Sequence, residues 1–212
     1  TVGRPDAPVL IDQEGGRVQR LNPPHWRARP AQGIFAKMHA ADPETAIAAA
    51  RLNARLIAND ILSLGVDVDC LPLLDVPQPS GHDIIGDRAY GDDPVLTATL
   101  GQAVCDGLAA GGVTPVLKHI PGHGRALVDS HLSLPIVDAE LSLLASTDFA
   151  PFKALAATAP ESTWAMTAHV VYTAIDGARP ATTSATVIAD VIRKEIGFGG
   201  FLITDDLGMQ AL

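Results

Sequence analysis

The sequence predicts an α/β fold, a (β/α)₈ TIM barrel of which about five strand–helix units are present. Short apolar runs alternate with segments of helical period, and polar residues follow most of the runs where a strand would end. Strands that alternate with helices are typical of a parallel sheet. A complete barrel takes about 250 residues. The chain has 212 residues, so we expect an incomplete piece that lacks about three units.

Strands and helices are predicted from hydrophobic period and from end signals. The apolar runs with the length of buried strands are Pro8–Ile11, Val66–Leu73, Val113–Leu117, Thr163–Thr167 and Gly200–Thr204. The segments of helical period are Pro43–Leu64, Pro94–Ala110, Asp148–Thr158 and Ala185–Ile196. Asp42 and Asp93 each precede a proline and are predicted N-caps, as is Ser184. Gly111-Gly112 and Gly197 are predicted to end helices.

The polar residues at the predicted strand ends indicate where a site would lie. They are Asp12, Lys118, His119, His169, Asp205 and Asp206. In a barrel, catalytic groups lie at the carboxyl ends of several strands, whereas an open doubly wound sheet gathers ligands at one switch point. Because these residues are spread over at least four of the five runs, the ring is the better interpretation.

Composition excludes several classes of function. The net charge of -9 argues against nucleic acid or an anionic membrane as the main partner. Cys70 and Cys105 both stand in apolar surroundings and are predicted to be free thiols. No apolar run approaches the roughly 20 residues of a membrane span. The chain begins at Thr1, so we expect a longer parent protein, in which the presence of a signal peptide is open.

The segment Lys118–Pro135, KHIPGHGRALVDSHLSLP, is the densest cluster of functional side chains. Asp129 and His131 are two residues apart and would point to the same side of an extended loop. Asp129 would then accept a hydrogen bond from His131 and leave the other ring nitrogen for proton transfer. Gly122 and Gly124 flank His123, so we expect a backbone hinge there and a packing role for His123.

Two adjacent carboxylates follow the last strand. Side chains of neighbouring strand residues point to opposite faces, so one carboxylate can enter the barrel mouth while the other caps the next helix. Asp205 is the candidate nucleophile and Asp206 the candidate cap. Asp12 and Arg20, which follow the first strand, and Arg88 in the irregular loop 77–91 are candidate substrate contacts.

Five segments together resemble the β-N-acetylglucosaminidases of glycoside hydrolase family 3. They are IDQEGGRVQRL (Ile11–Leu21), IGDRAYG (Ile85–Gly91), the Lys118–Pro135 segment, AHVVY (Ala168–Tyr172) and ITDDLGM (Ile203–Met209). They occur in the order of the family and span nearly the whole chain. The Lys-His, Pro-Gly-His-Gly and Asp-Ser-His pieces are specific to this branch and separate it from the family's β-glucosidases.

The resemblance implies that residues 1–212 form one barrel domain of the family's N-terminal type, truncated at both ends. It implies a retaining enzyme that removes terminal β-linked GlcNAc. Bacterial cytoplasmic members act on muropeptides of the GlcNAc-1,6-anhydroMurNAc type during cell-wall recycling. A cytoplasmic location and a monomer are expected on the same ground.

The resemblance also implies roles for individual residues. Asp205 corresponds to the catalytic nucleophile, and His131 corresponds to the general acid/base, which Asp129 tunes. The residues that match sugar-binding positions are Asp12, Arg20, Arg88, Lys118 and His119. The chain departs from the family pattern at Ile120, where an aromatic residue is more usual, and at Arg125, after the Gly-His-Gly.

Three alternatives keep the same residues. A metal-dependent hydrolase could use the histidines, although their spacing matches no closed metal site and no HExxH motif occurs. A non-catalytic sugar-binding barrel is the second alternative, and phosphorolysis instead of hydrolysis is the third. A small carbohydrate is the expected partner, and no cofactor or metal is expected.

Overall fold

The fold is a half-barrel built on one parallel sheet. In the computed structural model, residues 3–78, 84–128, 130, 133–160 and 162–210 are described. The sheet strands are β1 (Leu10–Ile11), β4 (Val68–Asp69), β5 (Thr114–Ile120), β7 (Trp164–Thr167) and β9 (Phe201–Thr204). They lie side by side in chain order, and every pairing between them is parallel. The predicted α/β fold with about five strand–helix units is therefore confirmed.

Helices follow the strands. They are α1 (Gln32–His39), α2 (Pro43–Leu62), α3 (Pro94–Ala110), α4 (Leu141–Ser146), α5 (Ala150–Ala156) and a π-helix (Val187–Glu195). The predicted caps are confirmed, because the Asp42 carboxylate accepts from the Thr45 amide, the Asp93 carboxylate from the Val95 amide, and the Ser184 hydroxyl from the Val187 amide.

Some elements differ from the prediction. The helix predicted over Asp148–Thr158 begins only at Ala150, and the last helix has π-type hydrogen bonds. Of the long second run, only β4 and a bridge at Leu73 pair as strand, since Pro72 has no N–H for a ladder bond. Helices α1 and α4 were not predicted because each is short, with eight and six residues.

Two short sheets accompany the main one. Strands β2 (Gln13–Gly15) and β3 (Val18–Gln19) form an antiparallel hairpin directly after β1. Strands β6 (Ile136–Val137) and β8 (Val171–Tyr172) pair in parallel. The hairpin turns at Gly15 and Gly16, both at positive φ, and a Cβ at either position would collide with residues 29–31. Glycine is therefore required there.

The two faces of the main sheet bury different clusters. Leu117 and Ala165 pack against side chains of α5 and its flank, among them Phe149 and Phe152. The alternate strand positions form a second, smaller cluster, which consists of Val68, Cys70, Val116, Trp164, Met166 and Ile203. Because side chains alternate along a strand, Lys118 lies on the same face as Val116, above this cluster.

Both predicted free thiols are confirmed. None of the helices in the described part of the chain has the length and apolarity needed to cross a membrane.

Candidate active site

A pocket of about 160 Å³ opens at the carboxyl ends of the sheet strands. Its polar and charged lining residues are Asp12, Arg20, Arg88, Lys118, His119, His123, Ser130 and Asp205. The structure thus brings together the five predicted sugar contacts and the predicted nucleophile. The volume lies below the range of roughly 300–1,000 Å³ typical of pockets for drug-sized ligands, which fits one sugar ring.

One side of the pocket is a cluster of permanent charges, which we call the lysine side: Asp12, Glu14, Arg88 and Lys118. The Lys118 ammonium lies 2.9 Å from Asp12 Oδ1 and 2.6 Å from Glu14 Oε1. The Arg88 guanidinium donates to both Glu14 oxygens, at 2.8 and 2.9 Å. The Lys118 and Glu14 side chains are 2% and 1% exposed, so each charge depends on its partners.

The electrostatics of this cluster follow from burial and pairing. Burial alone would raise the pKa of Glu14, but the charges of Lys118 and Arg88 outweigh it and lower that pKa to about 2. Burial by itself lowers the pKa of Lys118, yet Glu14 and Asp12 outweigh this effect and raise it above its ordinary value. Glu14 and Lys118 therefore keep their charges over the whole physiological pH range.

Arg20 lies at the rim of the pocket. Its guanidinium is 3.7 Å from Asp12 Oδ2, and its side chain is 64% exposed. Because Asp12 is also only partly buried and faces both Arg20 and Lys118, the Asp12 carboxylate lies between the buried cluster and solvent.

The opposite side carries titratable groups, and we call it the histidine side: Asp75, His119, His123 and Asp205. Lys118 and His119 are consecutive, but the register with β7 shifts between Lys118 and Ile120. A bulge of this kind re-aims side chains, and both residues line the pocket. The peptide bond between them is cis.

His119 connects two carboxylates. Its Nδ1 lies 2.7 Å from Asp75 Oδ2, and its Nε2 lies 3.8 Å from Asp205 Oδ2. Asp75 is fully buried. Burial alone would raise its pKa, but the contacts with His119 and with the His123 amide lower it to about 2, so Asp75 is an anion at neutral pH.

Asp205 follows β9, and its carboxylate points into the pocket. Burial would raise its pKa, but the His119 charge, the Asp206 amide, His169 and Lys118 together lower it. The amide of Asp206 donates to Asp205 Oδ1 at 2.8 Å. Asp205 is therefore ionised, as a nucleophilic carboxylate must be.

Asp206 lies outside the pocket lining. Its carboxylate accepts from the Gly208 amide at 2.8 Å, and its carbonyl oxygen lies 3.1 Å from His169 Nε2. His169 Nδ1 is 2.7 Å from the Thr182 hydroxyl. His169 thus supports the Asp205–Asp206 turn from behind.

The segment 122–124 is anchored on both sides. A Cβ at Gly124 would collide with the Val76 carbonyl, and the Gly122 carbonyl accepts from the Tyr172 hydroxyl. The Gly124 carbonyl accepts from the Gln78 amide. Close packing therefore explains these glycines, which differs from the predicted hinge.

His123 lies in the wall of the pocket and contacts Ser130. Its Nε2 is 3.2 Å from Ser130 Oγ, and both side chains are buried. Burial and the nearby His119 lower the pKa of His123 to about 4, so its ring is neutral at neutral pH. The predicted packing role for His123 is confirmed, and the residue also shapes the pocket.

The predicted acid/base pair, Asp129 and His131, lies outside the described residues. The Arg125 side chain, one of the departures from the family pattern, lies at the start of the same loop. Its Nε donates to Asp148 Oδ2 at 2.7 Å, and the Asp148 side chain is buried. This ion pair fixes the loop start to the segment before α5.

The sequence argument missed two carboxylates. Glu14 is two residues after Asp12, a spacing that places both on one side of a hairpin strand. Asp75 is two residues after Leu73, at the one strand end for which no polar residue had been assigned. Counting polar residues two or three positions beyond each strand end would have found both.

Within the ranges that the structure describes, no group of three or more His, Cys, Asp or Glu side chains is placed to hold a metal ion.

Comparison with known proteins gives the family context. Residues 4–212 match the model of the glycosyl hydrolase family 3 N-terminal domain. A protein named β-hexosaminidase from Xanthomonas euvesicatoria is 39% identical over 203 residues, which cover 96% of this chain and 59% of that relative. The chain thus spans about three fifths of the length of the curated relatives it matches.

Solved structures agree with this match. Native NagZ from Neisseria gonorrhoeae aligns with a TM-score of 0.88 and 34% identity, over 96% of this chain and 58% of that one. A glycoside hydrolase family 3 β-N-acetylglucosaminidase from Paenibacillus aligns with a TM-score of 0.84 and 34% identity, over 96% of this chain and 37% of that one.

Proposed function

Because the chain belongs to the glycosyl hydrolase family 3 N-terminal domain family, we propose that the protein is a retaining exo-β-N-acetylglucosaminidase with Asp205 as its nucleophile. The observation that carries the proposal is the ionised Asp205 carboxylate in a pocket that fits one sugar ring. The names of the relatives support the N-acetylhexosamine specificity.

The lysine side would bind the terminal sugar. Lys118 and Arg88 carry more N–H donors than their hydrogen bonds to Glu14 and Asp12 use, so the remaining donors can bind sugar hydroxyls. The Asp12 carboxylate can accept hydrogen bonds from other sugar hydroxyls. Arg20 at the rim and His119 at the floor complete a set of donors and acceptors around the ring. These contacts would orient the anomeric carbon toward Asp205.

The chemistry would take two steps. Asp205 attacks the anomeric carbon while His131, held by Asp129, protonates the leaving oxygen, and a covalent glycosyl-enzyme forms. Neutral His131 then takes a proton from water, which attacks the same carbon and releases GlcNAc and free Asp205.

A histidine acid/base is consistent with the lining of the pocket. Retaining glycosidases commonly use two carboxyl groups about 5 Å apart. Among the described residues, Asp12 is the only other carboxylate in the lining, and it is bound to Lys118. Another group therefore has to donate the proton. His131 is a candidate because it follows Ser130, which lies in the pocket wall.

The natural substrate that we propose is a muropeptide of the GlcNAc-1,6-anhydroMurNAc type, on the basis of the family resemblance. Phosphorolysis with the same residues is distinguished by product analysis with and without phosphate. A cytoplasmic location and a monomeric state remain predictions.

The decisive experiment is hydrolysis of an aryl β-GlcNAc by the full-length protein, compared with the matching aryl β-glucoside. We expect turnover of the first and little of the second. A fluorinated GlcNAc analogue should label Asp205, identified by peptide mass mapping. Equal turnover of both glycosides would contradict the specificity, and label on another residue would contradict the nucleophile. Activity that disappears on chelation and returns with added metal would favour the metal-dependent alternative.

A further inference from the structure

We propose that Asp75 controls the nucleophile through His119: the buried carboxylate fixes the imidazole so that its positive charge stands beside Asp205. Asp75 would be a positioning residue, since it does not line the pocket and His119 lies between it and Asp205. The inference rests on the proposed function, in which Asp205 is the nucleophile.

Asp75 holds the start of the active-site loop with both of its oxygens. Oδ2 lies 2.7 Å from His119 Nδ1. Oδ1 accepts from the His119 amide at 3.2 Å and from the His123 amide at 2.7 Å. Because the ring and the backbone of His119 bond to the same carboxylate, the ring cannot turn without breaking a buried hydrogen bond. This arrangement requires the proton on Nδ1 and directs Nε2 toward Asp205.

The contact between His119 Nε2 and Asp205 leaves one oxygen of the Asp205 carboxylate free to react. Oδ1 of Asp205 is occupied by the Asp206 amide. Oδ2 faces His119 Nε2 at 3.8 Å, which is ion-pair range but too long for a hydrogen bond. The His119 charge therefore lowers the pKa of Asp205, while the lone pairs of Oδ2 remain available for attack.

The other charged groups around these residues have partners of their own. The charges of Lys118 and His169 also lower the pKa of Asp205. Lys118, however, forms ion pairs with Asp12 and Glu14. His169 contacts the Thr182 hydroxyl and the Asp206 carbonyl oxygen.

Two further groups act on the dyad itself. The ring of His123 lies 5.6 Å from that of His119 and is neutral near pH 7. Arg88 interacts with Asp75 at longer range and belongs to the lysine side. Neither group changes its charge between pH 5 and 8, so neither adds a pH-dependent charge to the pair in this range.

The sign of the effect distinguishes this route from a direct one. Acting directly, the negative charge of Asp75 would raise the pKa of Asp205, and its removal would lower that pKa. Acting through His119, Asp75 stabilises a cation beside Asp205, and its removal would raise the pKa of Asp205.

The test is Asp75→Asn in the full-length protein. The amide oxygen of asparagine can still accept from both backbone amides, while its NH₂ would meet His119 Nδ1 and favour the neutral ring. We expect the pKa of Asp205, followed by ¹³C NMR of labelled aspartate and assigned with Asp205→Asn, to rise by about 0.5–1 unit. The acid limb of kcat/KM for an aryl β-GlcNAc should move up by the same amount.

Two further variants serve as comparisons. His119→Gln should raise the pKa of Asp205 to a similar extent, and adding Asp75→Asn to it should raise that pKa no further. Asp69→Asn is the matched control: Asp69 is equally buried, lies at the end of β4, and accepts only from the Gln13 amide. Because burial raises the pKa of Asp69 well above its ordinary value, it is already neutral, and its replacement should leave Asp205 unmoved.

An unchanged or lowered pKa of Asp205 in a folded Asp75→Asn protein overturns the proposal. If that variant does not fold, ¹⁵N NMR of the histidines in the wild type decides, since an unprotonated Nδ1 on His119 would also overturn it. If the wild type cleaves no glycoside, the proposed function fails, but the titration of Asp205 still tests the coupling.

Discussion

The two sides of the pocket stabilise their buried charges in different ways. On the lysine side, the charges of Lys118, Arg88 and Glu14 are permanent and neutralise one another at 2.6–2.9 Å. On the histidine side, Asp75 and Asp205 enclose the His119 ring, at 2.7 and 3.8 Å. The difference indicates a division of labour: the charges of the lysine side would hold the sugar, whereas His119 and Asp75 would set the reactivity of Asp205.

The largest effect is expected from Asp205→Asn on the histidine side. Loss of the nucleophile should lower kcat for an aryl β-GlcNAc by about 10³- to 10⁵-fold and leave the folded state intact. Asp206→Asn is the matched control, since the Asp206 carboxylate lies outside the pocket lining and accepts from the Gly208 amide in a turn, and it should lose less than about tenfold. Similar losses in both variants would contradict the assignment of Asp205.

On the lysine side, the main effect should be on stability. Glu14→Gln would leave Lys118 and Arg88 buried without their shared anion, so we expect the free energy of unfolding to fall by about 3–5 kcal/mol. Glu195→Gln removes a carboxylate 2.8 Å from a lysine, Lys153, but on the exposed surface, and should change stability by less than about 1 kcal/mol. Urea unfolding measures both. Equal small changes would show that the lysine side is not a buried ion cluster.

The pH dependence of stability should separate the two sides. The pKa of Glu14 is about 2 in the folded protein, below its ordinary value near 4.3. Its contribution is therefore fully present above about pH 5 and is lost as the pH falls toward 2. The pKa of His123 is about 4, below about 6.5. The unfolded chain thus binds the proton first, and stability is lost earlier, between about pH 6.5 and 4.

Variants assign these two windows. In urea unfolding at a series of pH values, His123→Gln should flatten the profile between about pH 4 and 6.5, and Glu14→Gln should flatten it below about pH 5. A His123→Gln profile that keeps the upper window would mean that another group titrates there.

The smallest effect is expected from Ser130→Ala. It removes a neutral hydrogen bond to the buried His123 Nε2, which should cost about 1 kcal/mol of unfolding free energy. Ser146→Ala, which removes an exposed bond to the Leu143 carbonyl, should cost less than about 0.5 kcal/mol. A loss for Ser130→Ala as large as that for Glu14→Gln would break the distinction between the two sides.

Much of the sheet could be predicted because its signals are local. Each strand is an apolar run, and the helices α2 and α3 begin at an Asp-Pro pair that caps and starts them. The candidate nucleophile and three of the predicted sugar contacts, Asp12, Lys118 and His119, could be placed at strand ends by the same logic.

The remaining features depend on contacts between distant residues. Nothing near Glu14 in the sequence indicates that Arg88 and Lys118 will surround it, and nothing near Asp75 indicates three bonds to the His119–His123 segment. The shift in register after Lys118 lets two consecutive side chains, Lys118 and His119, both line the pocket. No periodicity of the sequence indicates such a shift. The packing of Gly124 against the Val76 backbone likewise depends on a contact between distant residues.

The ion cluster around Glu14 also bears on the order in which the chain folds. Glu14 and Arg88 are 74 residues apart, and Asp12 and Lys118 are 106 apart. Closing loops of this length costs conformational entropy before the contacts form that compensate for it. Desolvating one of these charges in the absence of its partners is also unfavourable. The strands β1, β4 and β5 therefore have to assemble first. The proposed sugar-binding surface would therefore be completed late, after the scaffold that presents it.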